Sequence, residues 1–219
     1  MEEQYFYHIY NRGINAQSLF QKKQHYQFFL ESYAYYLLPV VQTYAYVLMK
    51  NHFHFLVRIR TVQEQEELFD KYQQKANVDR HNIKKQPHGY KHSTFKRQKA
   101  SRQLSHLFNR YARNYNQWKG RTGKLFEQPF KRKRIDDESY LIHLVCYIHR
   151  NPIHHHVTKS YASYNYSSYK TILSEKQTIL ELELEMELEL ELEKESVLNW
   201  FGGKKHYIAA HQEMKLKLP

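Results

Sequence analysis

Residues 44–58, Tyr-Ala-Tyr-Val-Leu-Met-Lys-Asn-His-Phe-His-Phe-Leu-Val-Arg, read as two short β-runs joined at Lys50-Asn51. Side chains on a strand alternate between faces, so His52 and His54 share one side and Phe53 and Phe55 the other. Upstream, Tyr5 to Tyr10 is β-prone and ends at Asn11-Arg12-Gly13, a turn signature. Between these runs, Tyr26, Phe29, Leu30, Tyr33, Tyr36 and Leu37 recur at helical spacing from Gln24 to Leu38, and Pro39 closes the segment. Strand, helix, strand, strand is the first half of a ferredoxin-like or RRM-like α+β domain. The expected fold is an antiparallel sheet with helices on one face, leaving the other open for a substrate.

Residues 61–99 are polar, with a helical stretch expected from Gln63 to Lys75 and a basic loop from Asn77 to Lys99 that holds Pro87 and Gly89. A loop of that length in a compact domain is either functional or disordered. Helical spacing returns from Ser101 to Trp118 through Leu104, Leu107, Phe108, Tyr111 and Tyr115, and Gly120-Arg121-Thr122-Gly123 breaks it. Lys131-Arg132-Lys133-Arg134 then precedes a further helix, Asp137 to Asn151. There Leu141, Leu144, Val145 and Ile148 form the apolar stripe, and the acidic start suits a helix N-terminus. Tyr147 and Asn151, one turn apart, project together from a different side. The helix is expected to stop near Asn151, because a residue preceding proline disfavours the αR region. Residues 180–193 alternate Leu or Met with Glu, a period of two written in strong helix formers. The organisation expected is a main domain over 1–174 with its basic loop at about 77–100, a Leu/Glu segment at 175–196, and a packing element at 197–219.

Charge sharpens this picture. The net charge is +12, but nine of the 22 acidic residues and two of the 34 basic ones fall within 175–195. The remainder carries 32 basic against 13 acidic residues, a net +19. Such an excess favours a polyanion, nucleic acid above all. With 20 tyrosines and 12 phenylalanines, the chain also has the rings that stack on unpaired bases. A single cysteine, Cys146, excludes an intrachain disulfide and a cysteine-based zinc cluster. No apolar run reaches the roughly 20 residues that cross a bilayer, and Met-Glu-Glu-Gln lacks the regions of a signal peptide. A cytoplasmic protein with no membrane partner is expected.

Two imidazoles on one strand face can converge on a divalent metal if a third ligand comes from elsewhere, although such a pair is also an ordinary polar strand face. Tyr147 taken alone is equally a satisfied helix tyrosine. The two constellations together, Tyr46-x-Leu48-Met49-x-Asn51-His52-Phe53-His54-Phe55-Leu56-Val57 and Tyr147-Ile148-His149-x-Asn151-Pro152, resemble the single-tyrosine HUH transposases. The nearest resemblance is to the REP-associated tyrosine transposases, relatives of the small insertion-sequence transposases. His8-x-Tyr10-Asn11-Arg12-Gly13, Gly123-x-Leu125-Phe126-x-x-x-Phe130, Ser167-Ser168-Tyr169 and Trp200-Phe201-Gly202 extend it over most of the chain. The long basic loop and the Leu/Glu tract depart from the family pattern.

The resemblance implies an HUH endonuclease fold. Tyr147 would be the nucleophile, with His52, His54 and Asn151 as ligands to Mg²⁺ or Mn²⁺. The partner would be single-stranded or hairpin DNA, and the protein a monomer or homodimer. Arg12, Arg132, Lys133 and Arg134 are candidates for phosphate contacts. Two other functions fit the same composition: a nucleic-acid-binding module without catalysis, and a metal-dependent phosphodiesterase that uses water.

Overall fold

The computed structural model describes residues 1–78, 94–174 and 192–213. Most of the expected basic loop and of the Leu/Glu tract lies outside these residues. Strand β1 (Phe6–Arg12) leads to helix α1 (Lys23–Leu37), then the hairpin β2 (Val41–Met49) and β3 (His52–Ile59). Helices α2 (Val62–Val78) and α3 (Ala100–Trp118), strand β4 (Lys131–Ile135) and helix α4 (Glu138–His154) follow. Three shorter helices close the described chain: α5 (Tyr169–Leu173), α6 (Lys194–Trp200) and α7 (Lys204–Glu213). The strands form one sheet in the order β2-β3-β1-β4, with every neighbour antiparallel. The result is a mixed α/β fold built on a four-stranded antiparallel sheet.

Both faces of the sheet carry a core. On one, Tyr7, Ile9, Tyr46, Leu48, Phe53 and Phe55 pack against α1 and α3. On the other, Ala45, Val47, Met49 and Leu56 pack against Leu144, Val145 and Ile148 of α4 and against Val197, Phe201 and Tyr207 from α6 and α7. The expectation of helices on one face is therefore corrected. The reason is β2, where six consecutive apolar residues, Tyr44 to Met49, are all buried, so the strand needs cover on both sides. Helix α4 lies mainly over β2, and on the β1–β4 half of that face Arg12, Lys131 and Lys133 are exposed, Tyr10 is half-buried and His8 is buried.

Both edges are blunted. Along β2, Leu48 donates to the Tyr166 carbonyl at 2.8 Å, Ser168 donates to the Tyr46 carbonyl at 3.0 Å, and Glu193 donates to the Thr43 carbonyl at 2.9 Å. At the opposite edge, β4 presents four exposed cations in a row, which discourages pairing with another strand.

Three local expectations change. Strand β1 runs two residues further than Tyr10, so Arg12 is a strand residue opposite His52 and not a turn arginine. Gly13 follows it, with its N–H on the Asn51 carbonyl at 2.8 Å, and a Cβ there would lie 2.1 Å from the Gln17 carbonyl oxygen. Only glycine permits that approach. Finally, α4 passes through Pro152 to His154. Pro152 is buried, its carbonyl accepts from Val157 at 2.8 Å, and Asn151's accepts from His155 at 3.0 Å, so the last turn is satisfied despite the lost proline N–H.

Candidate active site

The site forms where α4 crosses the sheet. Strand parity and register put His8, Tyr10 and Arg12 of β1 on the same face as Leu56, His54 and His52 of β3. At the start of α4, the Asp137 side chain caps the Ser139 N–H at 2.9 Å. Leu144, Val145 and Ile148 fix the helix's rotation, which turns Tyr147 and Asn151 toward the histidines. His52 Nε2 and Asn151 Oδ1 lie 2.9 Å apart, and the Tyr147 ring stands edge-on to His54 with centroids separated by 5.5 Å. Elements almost a hundred residues apart thus bring His52, His54, Tyr147 and Asn151 together.

Burial governs the electrostatics. It pushes the Tyr147 phenol up from its ordinary value, and the Asn151 side chain counters part of that rise. Asn151 Nδ2 nevertheless lies buried without a full hydrogen bond. Burial lowers His52, pushes His54 well down, and brings His8 to about 4 with help from Lys133. At neutral pH the site therefore holds uncharged imidazoles and a protonated phenol.

The donor set suits a divalent cation. His54 Nδ1 meets His8 Nε2 at 2.9 Å, so one ring nitrogen of His54 is occupied by a neighbour and Nε2 is left for a ligand. His52 is held between two amide oxygens, with Asn51 Oδ1 2.8 Å from Nδ1 and Asn151 Oδ1 2.9 Å from Nε2. A neutral imidazole donates only one hydrogen, so one of these contacts sets a nitrogen lone pair against an oxygen lone pair. A cation facing Nε2 and Oδ1 relieves that conflict, and so does a rotated Asn151 amide that turns its unpartnered Nδ2 to the ring. Among the described residues no group of three His, Cys, Asp or Glu side chains is arranged to hold a metal, and a cation at His52 and His54 would take Asn151 Oδ1 as its third protein donor. Two imidazole nitrogens and an amide oxygen are donors that a divalent cation takes.

The four basic candidates divide by face. Lys133 pairs with His8 in register and lies on the site face, its Nζ 4.9 Å above the Tyr140 ring. Arg12 is on that face as well, exposed and bonded through Nε to Glu127 at 2.6 Å. Arg132 and Arg134 pair with Ile9 and Tyr7 and so face the other way, and Arg134 is already engaged by Glu2 and Asp136. Sequence reasoning gave no role to His8, Tyr10, Lys131 or His155. Lys131 lies opposite Tyr10 on the site face, and the His155 ring meets that of His52 at 4.6 Å. The alternating His8-x-Tyr10-x-Arg12 and Lys131-x-Lys133 were the available signal, but the pairing that gives them a shared face is not written in either segment.

No family model matches the chain, and no curated protein matches it. Among solved structures, it is similar to that of a REP-associated tyrosine transposase bound to a REP hairpin. The TM-score is 0.53 and the identity 13%, over 78% of this chain and 81% of that one. At that identity the likeness is one of fold.

Proposed function

We propose that the chain is a metal-dependent DNA strand transferase that nicks and rejoins single-stranded DNA beside hairpins through a 5′-phosphotyrosine intermediate. The observation that carries this reading is the meeting of the Tyr147 phenol with His52, His54 and Asn151 over an accessible, basic half-sheet. The fold-level likeness to a hairpin-bound transposase supports hairpin DNA as the partner.

His52, His54 and Asn151 would hold a divalent cation, which when bound would polarise the scissile phosphate and neutralise its developing charge. Tyr147 Oη attacks phosphorus while the bond to the 3′-oxygen breaks. The phenolic proton is lost to solvent, and the departing 3′-oxygen gains one, so the exchange balances. Because burial keeps the phenol protonated, attack depends on its orientation, and the helical i, i+4 link to Asn151 provides it. The products are a 5′-phosphotyrosine and a free 3′-hydroxyl. The phosphodiester energy stays in the link, so another 3′-hydroxyl reverses the step and completes strand transfer. Lys133, Lys131 and Arg12 line the approach with positive charge.

The test is a denaturing gel of labelled hairpin-flanking oligonucleotides incubated with protein and Mn²⁺. A denaturant-resistant adduct that requires the cation and vanishes in Tyr147→Phe is expected. Released fragments without adduct would point to the water-using phosphodiesterase, and binding without either product to a non-catalytic module.

A further inference from the structure

A cavity of about 390 Å³ opens at the β2–β3 turn, among Phe20, Tyr26, Lys50, Val157, Tyr164 and Tyr166. Two of its walls continue the candidate site. Lys50 precedes His52 by two residues, and Val157 follows His155, whose ring meets that of His52. Three rings form a column: Phe20 on Tyr26 at 4.8 Å and 24°, then Tyr26 on Tyr166 at 3.5 Å and 8°. Tyr164 stands edge-on to Tyr166 at 5.9 Å, its hydroxyl fixed by the Leu48 carbonyl at 2.7 Å.

A column of this kind is ordinary inside a core. Here it is not sealed: Tyr164 and Tyr166 are half-buried, Lys50 is exposed, and Val157 is 51% exposed. The wall is rigid, since the Lys50 carbonyl accepts from both Leu19 and Phe20 at 2.8 and 2.9 Å and the Tyr166 carbonyl accepts from Leu48. An aromatic floor with an ammonium group at the rim matches a flat π-system carrying an anion, the chemistry of a nucleotide.

We propose that this cavity takes one unpaired base of the DNA strand, laid against Tyr166 and Tyr164, with Lys50 on the adjoining phosphate. It thereby anchors the strand at the β2–β3 turn, two residues from His52. The inference rests on the reading of single-stranded DNA as the partner, but not on the chemistry of Tyr147.

The test is binding of full-length protein, in EDTA so that no cleavage intervenes, to fluorescein-labelled dT20 and to an abasic strand of equal length. Tyr166→Leu is expected to weaken dT20 binding by roughly 5- to 100-fold, the worth of one base stack. Tyr166→Phe should bind as the unaltered protein does, and on the abasic strand all three should agree. Equal affinity of Tyr166→Leu and unaltered protein for dT20 would overturn the proposal, as would an equal loss on the abasic strand, which marks mere structural damage. Ultraviolet crosslinking of a 5-iodouracil strand adds a second readout: crosslinks at Tyr164 or Tyr166 support the cavity, and crosslinks confined elsewhere overturn it. If dT20 is bound and responds as expected while no phosphotyrosine forms, only the transferase reading fails. If the protein binds no single strand, both fail.

Discussion

His52 concentrates the chemistry of the site in one ring. Its two nitrogens face two amide oxygens, and burial opposes the positive charge that would satisfy both. His54 is oriented differently, through the His8 ring. If His8 holds His54 as a metal ligand, His8→Ala should weaken Mn²⁺ binding by roughly 10- to 100-fold, read by titration calorimetry. An unchanged affinity would mean that His8 and His54 merely pack together. The histidine pair and the i, i+4 spacing of Tyr147 and Asn151 were visible in the sequence because each is local to one element. His8 was not, because its role depends on which β1 residue stands beside which β3 residue. Gly13 is a second case of a constraint set by distant chain: Gly13→Ala should cost roughly 1–3 kcal/mol in urea unfolding, since its Cβ meets the Gln17 backbone.

At the scale of elements, β4 shows where composition misleads. Four consecutive cations read as one basic run, yet strand parity splits them, Lys131 and Lys133 toward the site and Arg132 and Arg134 away. Lys131→Ala with Lys133→Ala should therefore weaken single-strand binding and reduce its salt slope by about 0.7 for each phosphate left without its lysine. Arg132→Ala with Arg134→Ala should do less, and the reverse order would contradict the placement. Helix α4 is braced from behind by a buried polar chain. His149 Nδ1 lies 2.9 Å from His211 Nε2, and His149 Nε2 lies 2.7 Å from Ser168 Oγ, which accepts the Tyr46 N–H. Cys146 belongs to the same cluster, and burial pushes its thiol up to about 12, so it stays an inert thiol at neutral pH.

Burial also pushes His211 to about 4 and His149 well below its ordinary value, and both are neutral in the fold. Their contribution to stability is full above about pH 6.5, where the unfolded chain is neutral too, and is lost as pH falls toward 4. For His211 alone the shift is worth roughly 3 kcal/mol. Thermal unfolding should accordingly move to lower temperature between pH 6.5 and 4. A Tm that stays level across that window would refute the assignment of neutral, buried rings.

For the molecule as a whole, the hydrophobic pattern sufficed for β1, α1, the hairpin, α3 and α4, where apolar spacing was strong. It did not reveal that the second sheet face is half covered. The unbroken apolar run of β2 held that information, whereas the His-Phe-His-Phe alternation of β3 reads as a half-exposed strand although Phe53 to Val57 are all buried. Nor could it place β4, whose charged side chains carry no burial pattern at all. What the charge distribution does foretell is salt dependence. With Arg12, Lys50, Lys131 and Lys133 each meeting a phosphate, log affinity for a single strand should fall against log salt with a slope of about −3.

The role proposed for Tyr147 is a covalent link to DNA, made with the help of His52, His54 and Asn151. Mass spectrometry of the protease-digested adduct, formed on a hairpin-flanking strand with Mn²⁺, tests it most directly. Nucleotide mass is expected on the peptide containing Tyr147, linked to the strand's 5′-phosphate and absent from His54→Ala. Nucleotide mass on a different tyrosine, or cleaved DNA with every tyrosine unmodified, would contradict it.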